Sequence, residues 1–117
     1  MSLKDKIKAA NDRPLITVDV PEWECDLRIR GMSGADRDEF ESRALARKTR
    51  GGDVDPRGLR VSILIRCICD VDGNPLFGDD DAEWLAGKSG AVIDRLSQIA
   101  QRASGMTDDE VKEIEKN

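Results

Sequence analysis

The amino-acid sequence predicts an α+β fold, an N-terminal antiparallel β-hairpin followed by about four α-helices packed in one small domain. Three observations carry this expectation. Between Leu15 and Arg30 apolar and polar residues alternate with the period of two that buries one face of a sheet and exposes the other. Between Leu59 and Ile68 apolar residues occupy most of a helical circumference, and between Val92 and Ala103 they follow the spacing of a single helical face. At 117 residues the chain has room for one core and not for two.

The elements follow in order. Residues 1–13 are polar, with Lys4, Lys6 and Lys8 interleaved with Leu3 and Ile7, and read as a flexible N-terminal arm able to form one frayed helical turn. The single α+β domain is expected over 14–105. Its first strand carries Ile16, Val18 and Val20; after Pro21 and Glu22, a second run alternates Trp23, Cys25, Leu27 and Ile29 with Glu24, Asp26, Arg28 and Arg30. Gly31 and Met32 end this hairpin. Ser33, with Asp36 three residues on, has the form of a helix cap. The helix it opens, over about 34–48, is mostly charged, and Phe40, Ala44 and Leu45 give it only a narrow apolar stripe. It belongs on the surface.

A flexible Gly- and Asp-rich loop over 49–55 leads to Pro56, which suits the first turn of a helix capped by Asp55. In that helix Val61, Leu64, Ile65 and Ile68 fall at i, i+3, i+4 and i+7, joined by Leu59, Ile63 and Cys67, which marks the central core helix. A turn over 70–75 follows. Asp79, Asp80 and Asp81 suit the positive end of a short helix bearing Trp84 and Leu85, stopped by Gly87. Ser89 is placed to cap the last core helix, with Val92, Ile93, Leu96, Ile99, Ala100 and Ala103 on one face and Gly105 at its end. Residues 106–117 read as a charged C-terminal helix or tail, opened by a capping box from Thr107 to Glu110.

Composition narrows the function. A net charge of −5 disfavours nucleic acid, which needs a basic surface to displace counterions, and no apolar run reaches the length of a membrane span. With three cysteines and no histidine there is neither a disulfide framework nor a mixed zinc site. Asp70, Asp72 and Asn74 copy the opening ligands of a calcium loop, but Pro75 stands where that loop needs glycine and Asp81 where it needs glutamate. Cys67 and Cys69, two apart on a helix, point to different sides. The acidic groups Asp36, Asp38 and Glu39, and Asp79 to Asp81, are explained as helix-start residues, and Ser33, Ser62, Ser89 and Ser97 lack the surroundings of a nucleophile. The expectation is a protein that acts by binding, not an enzyme, with no catalytic residue, no metal and no cofactor. Its candidate partner-binding residues are Trp23, Leu27 and Ile29 on the hairpin, Trp84 and Leu85 on the short helix, and Val92 and Leu96 on the last helix. For each of them a place in the domain's own core is the favoured competing reading.

Several segments, in order, resemble those of bacteriophage tail assembly chaperones, the family that serves tail tube and tape measure assembly in siphophages. They are Val20-Pro21-Glu22-Trp23 before the alternating strand, the run from Arg30-Gly31-Met32-Ser33 to Phe40-Glu41, Cys69-Asp70-Val71-Asp72-Gly73-Asn74-Pro75-Leu76-Phe77, and Leu85-Ala86-Gly87-Lys88-Ser89 ahead of Ile93 and Leu96. The resemblance implies a chaperone that binds the tape measure protein and keeps it soluble in the host bacterial cytoplasm while tail tube protein assembles around it. It also implies a longer form made by ribosomal frameshifting, which codons for Glu115-Lys116-Asn117 containing a slippery heptamer would permit. Homo-oligomerisation stays open. The alternatives are a structural protein, such as a tail completion or connector subunit, and a regulatory adaptor acting by protein binding.

Overall fold

The computed structural model describes residues 2–49 and 56–106. The loop expected between the two stretches, the Asp55 cap, and the helix or tail expected from Thr107 lie outside the described residues. Strands β1 (Ile16–Val20) and β2 (Cys25–Ile29) form the expected hairpin, with Ile16 opposite Ile29, Val18 opposite Leu27 and Val20 opposite Cys25. This register puts all their apolar side chains on one face. Burial grows along β1 from exposed Ile16 through half-buried Val18 to fully buried Val20, and along β2 from exposed Cys25 to buried Leu27 and Ile29, so the core crosses this face diagonally.

Trp23 departs from the expected strand alternation. Pro21 fixes φ at a helical value and offers no N–H to a ladder, and Pro21–Trp23 form a 3-10 turn closed by Glu24 in the left-handed region at φ 54°. Trp23 therefore sits in the turn, half-buried against the core.

The sheet has a third strand that periodicity missed. Helix α3 (Pro56–Cys67) stops before Ile68, and β3 (Ile68–Cys69) pairs antiparallel with β2 through Arg28 opposite Cys69 and Ile29 opposite Ile68. Ile68 fits the helical spacing from Val61, but the Cys67 carbonyl accepts the Arg30 N–H at 2.9 Å, which turns the chain into the sheet. Two residues are too short to show an alternation. In the turn that follows, the Asp70 side chain accepts the N–H groups of Asp72 at 2.9 Å and Asn74 at 3.0 Å, and Gly73 takes φ 87°.

Helix α2 (Gly34–Thr49) opens as expected, with the Ser33 hydroxyl accepting the Asp36 N–H at 3.1 Å. Its apolar stripe is narrower than expected: Phe40 and Ala44 are buried and Leu45 is 61% exposed. The acidic run Asp79–Asp81 forms a 3-10 turn leading into α4 (Ala82–Ala86), and α5 (Gly90–Ala103) is the amphipathic helix anticipated. Ser89 does not cap α5 with its side chain; its carbonyl accepts the Ile93 N–H at 3.0 Å instead. At the other end Met106 N–H reaches the Gln101 carbonyl and Gly105 N–H the Arg102 carbonyl, with Gly105 at φ 73° and Met106 buried. This paired termination joins Met106 to the domain.

The core lies between the inner face of the sheet, α3, α4 and α5, with Ile29, Ile63, Leu64, Ile68, Leu85 and Leu96 its largest fully buried side chains. Gly31 lets β2 end against α5: a Cβ there would run into the Ala103 carbonyl, and the next N–H, of Met32, donates to the Ser104 hydroxyl at 2.9 Å. The N-terminal arm is more regular than expected. Residues Leu3–Ala9 form a two-turn helix, α1, capped by Ser2, yet none of its side chains is buried. Arg13 ties the arm down by donating to the Gly31 carbonyl, while its own carbonyl accepts from Arg30, both at 2.9 Å.

Candidate functional site

The seven residues singled out for partner binding divide sharply by location. Leu27, Ile29, Leu85, Val92 and Leu96 lie in the core, each at most 7% exposed. An amphipathic helix of this size spends its apolar face on its own domain when a sheet and a second helix lie against it, and α5 does so here. Trp23 is half-buried and Trp84 is 48% exposed, so these two are the ones a partner can reach without opening the fold.

Trp84 is held firmly at the surface. Its ring meets that of Phe77 edge to face, with centroids 5.6 Å apart and an interplanar angle of 81°. Its indole N–H donates to Asp81 Oδ1 at 2.9 Å, while Asp81 Oδ2 accepts the Gly78 N–H at 2.8 Å. The Gly78 and Trp84 donors hold the Asp81 carboxyl below its ordinary range. Beside them, the Arg43 guanidinium grips both Asp79 oxygens at 3.2 and 3.1 Å and keeps Asp79 ionised by the same logic. The result is a ridge of two aromatic rings edged by carboxylates and fixed before any partner arrives. Phe77, Asp79, Asp81 and Arg43 were not among the residues anticipated here. The available signal was the three-residue step from Asp81 to Trp84, which puts both side chains on one side of a helical turn.

Trp23 lies at a second location, the hairpin tip. Its neighbour Glu22 forms a bidentate pair with Arg95 of α5 at 2.7 and 3.1 Å, and this pushes the Glu22 carboxyl down to about 2. A third feature is an open pocket of about 250 Å³ lined by Arg60, Val61, Ala86, Lys88, Gly90 and Ile93. Arg60 there already pairs with Asp94 at 3.3 Å.

The cysteines and the Asp70 turn do not form a reactive site. Burial pushes the Cys67 thiol up to about 11 and raises that of Cys69, which makes both poor nucleophiles, while Cys25 is exposed at the end of β2. The Asp70 carboxylate is engaged by backbone N–H groups of its own turn. Among the described residues no group of cysteine, aspartate and glutamate is arranged to hold a metal ion. What the surface offers is contact area with fixed charges around it.

Known proteins resemble this chain both in sequence family and in fold. A family model described as phage tail assembly chaperone matches residues 3–117. The solved structure of the bacteriophage HK97 tail assembly chaperone is similar over 90% of this chain and 93% of that one, with 24% identity and a TM-score of 0.58, a likeness of fold. No curated protein gives a significant match.

Proposed function

Because this chain belongs to the phage tail assembly chaperone family, we propose that it binds the tape measure protein and keeps it soluble while the tail tube protein assembles, without taking part in any covalent chemistry. The observation that supports this most is the Phe77–Trp84 ridge. A client helix with an apolar stripe needs an apolar surface that does not collapse into the chaperone's own core, and the T-shaped ring pair with its Asp81 tether meets that need. The acidic surround, from Asp79, Asp80, Asp81 and Glu83, keeps such a surface from aggregating and favours clients with lysine or arginine beside their apolar stripe.

The setting of this work is the host bacterial cytoplasm, and among the described residues no helix is long and apolar enough to cross a membrane. We extend the reading to a longer frameshifted product, for which the gene sequence at Glu115-Lys116-Asn117 is the test: codons that interrupt the adenine run remove it.

Co-expression decides the main reading. The tape measure protein should be soluble with this chain and insoluble without it, and Trp84→Ala should return most of it to the pellet while the variant itself stays folded. Unchanged client solubility in the presence and absence of the wild-type chain sinks the proposal. Stoichiometric recovery of this chain from purified particles would instead favour a structural subunit.

A further inference from the structure

Helix α2 is long, and its described side chains bury little apolar surface. Of residues 34–46, Phe40 and Ala44 are the buried ones. They stand four apart and make one stripe; Glu39 and Arg43, also four apart, make the stripe beside it. On α3, Leu59, Ser62, Ile63 and Arg66 fall at i, i+3, i+4 and i+7 and share a face, and the ion pair between Arg66 Nη2 and Glu39 Oε1 at 3.2 Å turns that face toward α2. Arg43 completes the clasp, reaching Glu39 at 2.8 Å and Asp79 at 3.1 Å.

Arg66 is the unusual member. Its side chain is only 7% exposed, yet the carboxylate in contact with it belongs to Glu39, which is 53% exposed, and Asp79 acts on it only through space. Its Nη1 donates to the Ser62 hydroxyl at 2.9 Å, and its Nε is buried with no hydrogen-bond partner among the described residues. A cation so enclosed requires a carboxylate, and a carboxylate arriving side-on to Nε and Nη2 would use a donor that Glu39 leaves unused.

We propose that α2 is a displaceable cover, and that the Leu59–Ser62–Ile63–Arg66 face beneath it receives a client helix built like α2, with apolar residues four apart beside a glutamate or aspartate. This rests on the chaperone reading for the identity of the client, but the opening of α2 is a property of the chain alone. The covering helix keeps an apolar groove closed until a helix with a better-placed carboxylate replaces it, and the exposed ridge at Trp84 serves as the site of first contact.

Hydrogen exchange of the intact protein reads the opening directly. Amides of α2 should exchange at least about 100-fold faster than those in the middle of α5, through an opening that leaves α3 and α5 protected. Raising salt from low to molar concentration should speed α2 and leave α5 unchanged, because the clasp is partly exposed and screened. A synthetic peptide of residues 33–49 then serves as probe for the uncovered face. It should bind the full-length Glu39→Gln/Phe40→Ala variant at least about 10-fold more tightly than wild type, since the tethered competitor is weakened. The same peptide carrying Glu39→Gln should lose that gain. Equal exchange of α2 and α5 in the wild-type chain overturns the proposal without any variant, as does peptide binding that ignores Glu39. Client solubilisation by a chain whose α2 opens only with global unfolding would retain the chaperone reading and reject this one.

Discussion

Of the helices that lie against α3, α5 and α2 are held by different forces. Helix α5 meets it with Val92, Ile93, Leu96 and Ala100, all buried, and adds the sheet on the same face. Among the described side chains of helix α2, Phe40 and Ala44 are buried, and ion pairs of Glu39 and Arg43 with Arg66 and Asp79 and of Asp36 with Arg13 add to their hold. Burial of apolar surface is non-directional, strong and not weakened by ionic screening, whereas partly exposed ion pairs contribute little and weaken with it. The α5 side of α3 is thus core, and on our proposal the α2 side is a closure that can be undone. A molecule that must be stable alone and adapt to a client has use for both.

Substitutions that separate the two sides should rank accordingly. The largest loss is expected from Leu96→Ala in α5, about 2–5 kcal/mol in urea unfolding, because the site is fully buried and cannot refill. A loss under about 1 kcal/mol would mean that α5 is not the core helix. Gly31→Ala should follow at about 1–3 kcal/mol, since the new methyl group meets the backbone of Ala103 and not a flexible side chain. On the α2 side, Arg43→Ala should change global stability far less than either, because the cation is 48% exposed and its ion pairs are screened. It should nevertheless raise α2 exchange several-fold, and a large fall in global stability with no change at α2 would erase the contrast. Smallest of all is the hairpin clamp. Glu22 is shifted from an ordinary 4.5 to about 2 by Arg95, so its contribution is complete above about 4.5 and disappears as pH falls toward 2. Carbon-detected titration should place its midpoint near 2, and Arg95→Ala should raise it toward the ordinary value, with the Glu22 backbone N–H still holding it somewhat below.

Much of this fold was legible in the residues. The hairpin was visible because alternating strands and the Pro21 turn are local patterns, and α5 because its face repeats over fourteen residues between a serine and a glycine. The strand Ile68–Cys69 was not, since two residues carry no period and an isoleucine at the right helical step hides the change. The site was legible only in its chemistry. Tryptophans, apolar helix faces and an absence of histidine pointed to binding, but nothing local distinguished Trp84, which stays outside, from Leu85 next to it, which is fully buried.

The residues by themselves determined the class of the fold, the identity of its central helix and the family resemblance, because these depend on spacing along the chain and on composition. Only the tertiary structure decided which apolar side chains remain available and which charges meet. Burial is settled by what packs against a face from elsewhere in the chain. Arg66 makes the point: no spacing or motif singles it out, and it is the fold that encloses it on α3 and leaves α2 to supply the carboxylate it contacts.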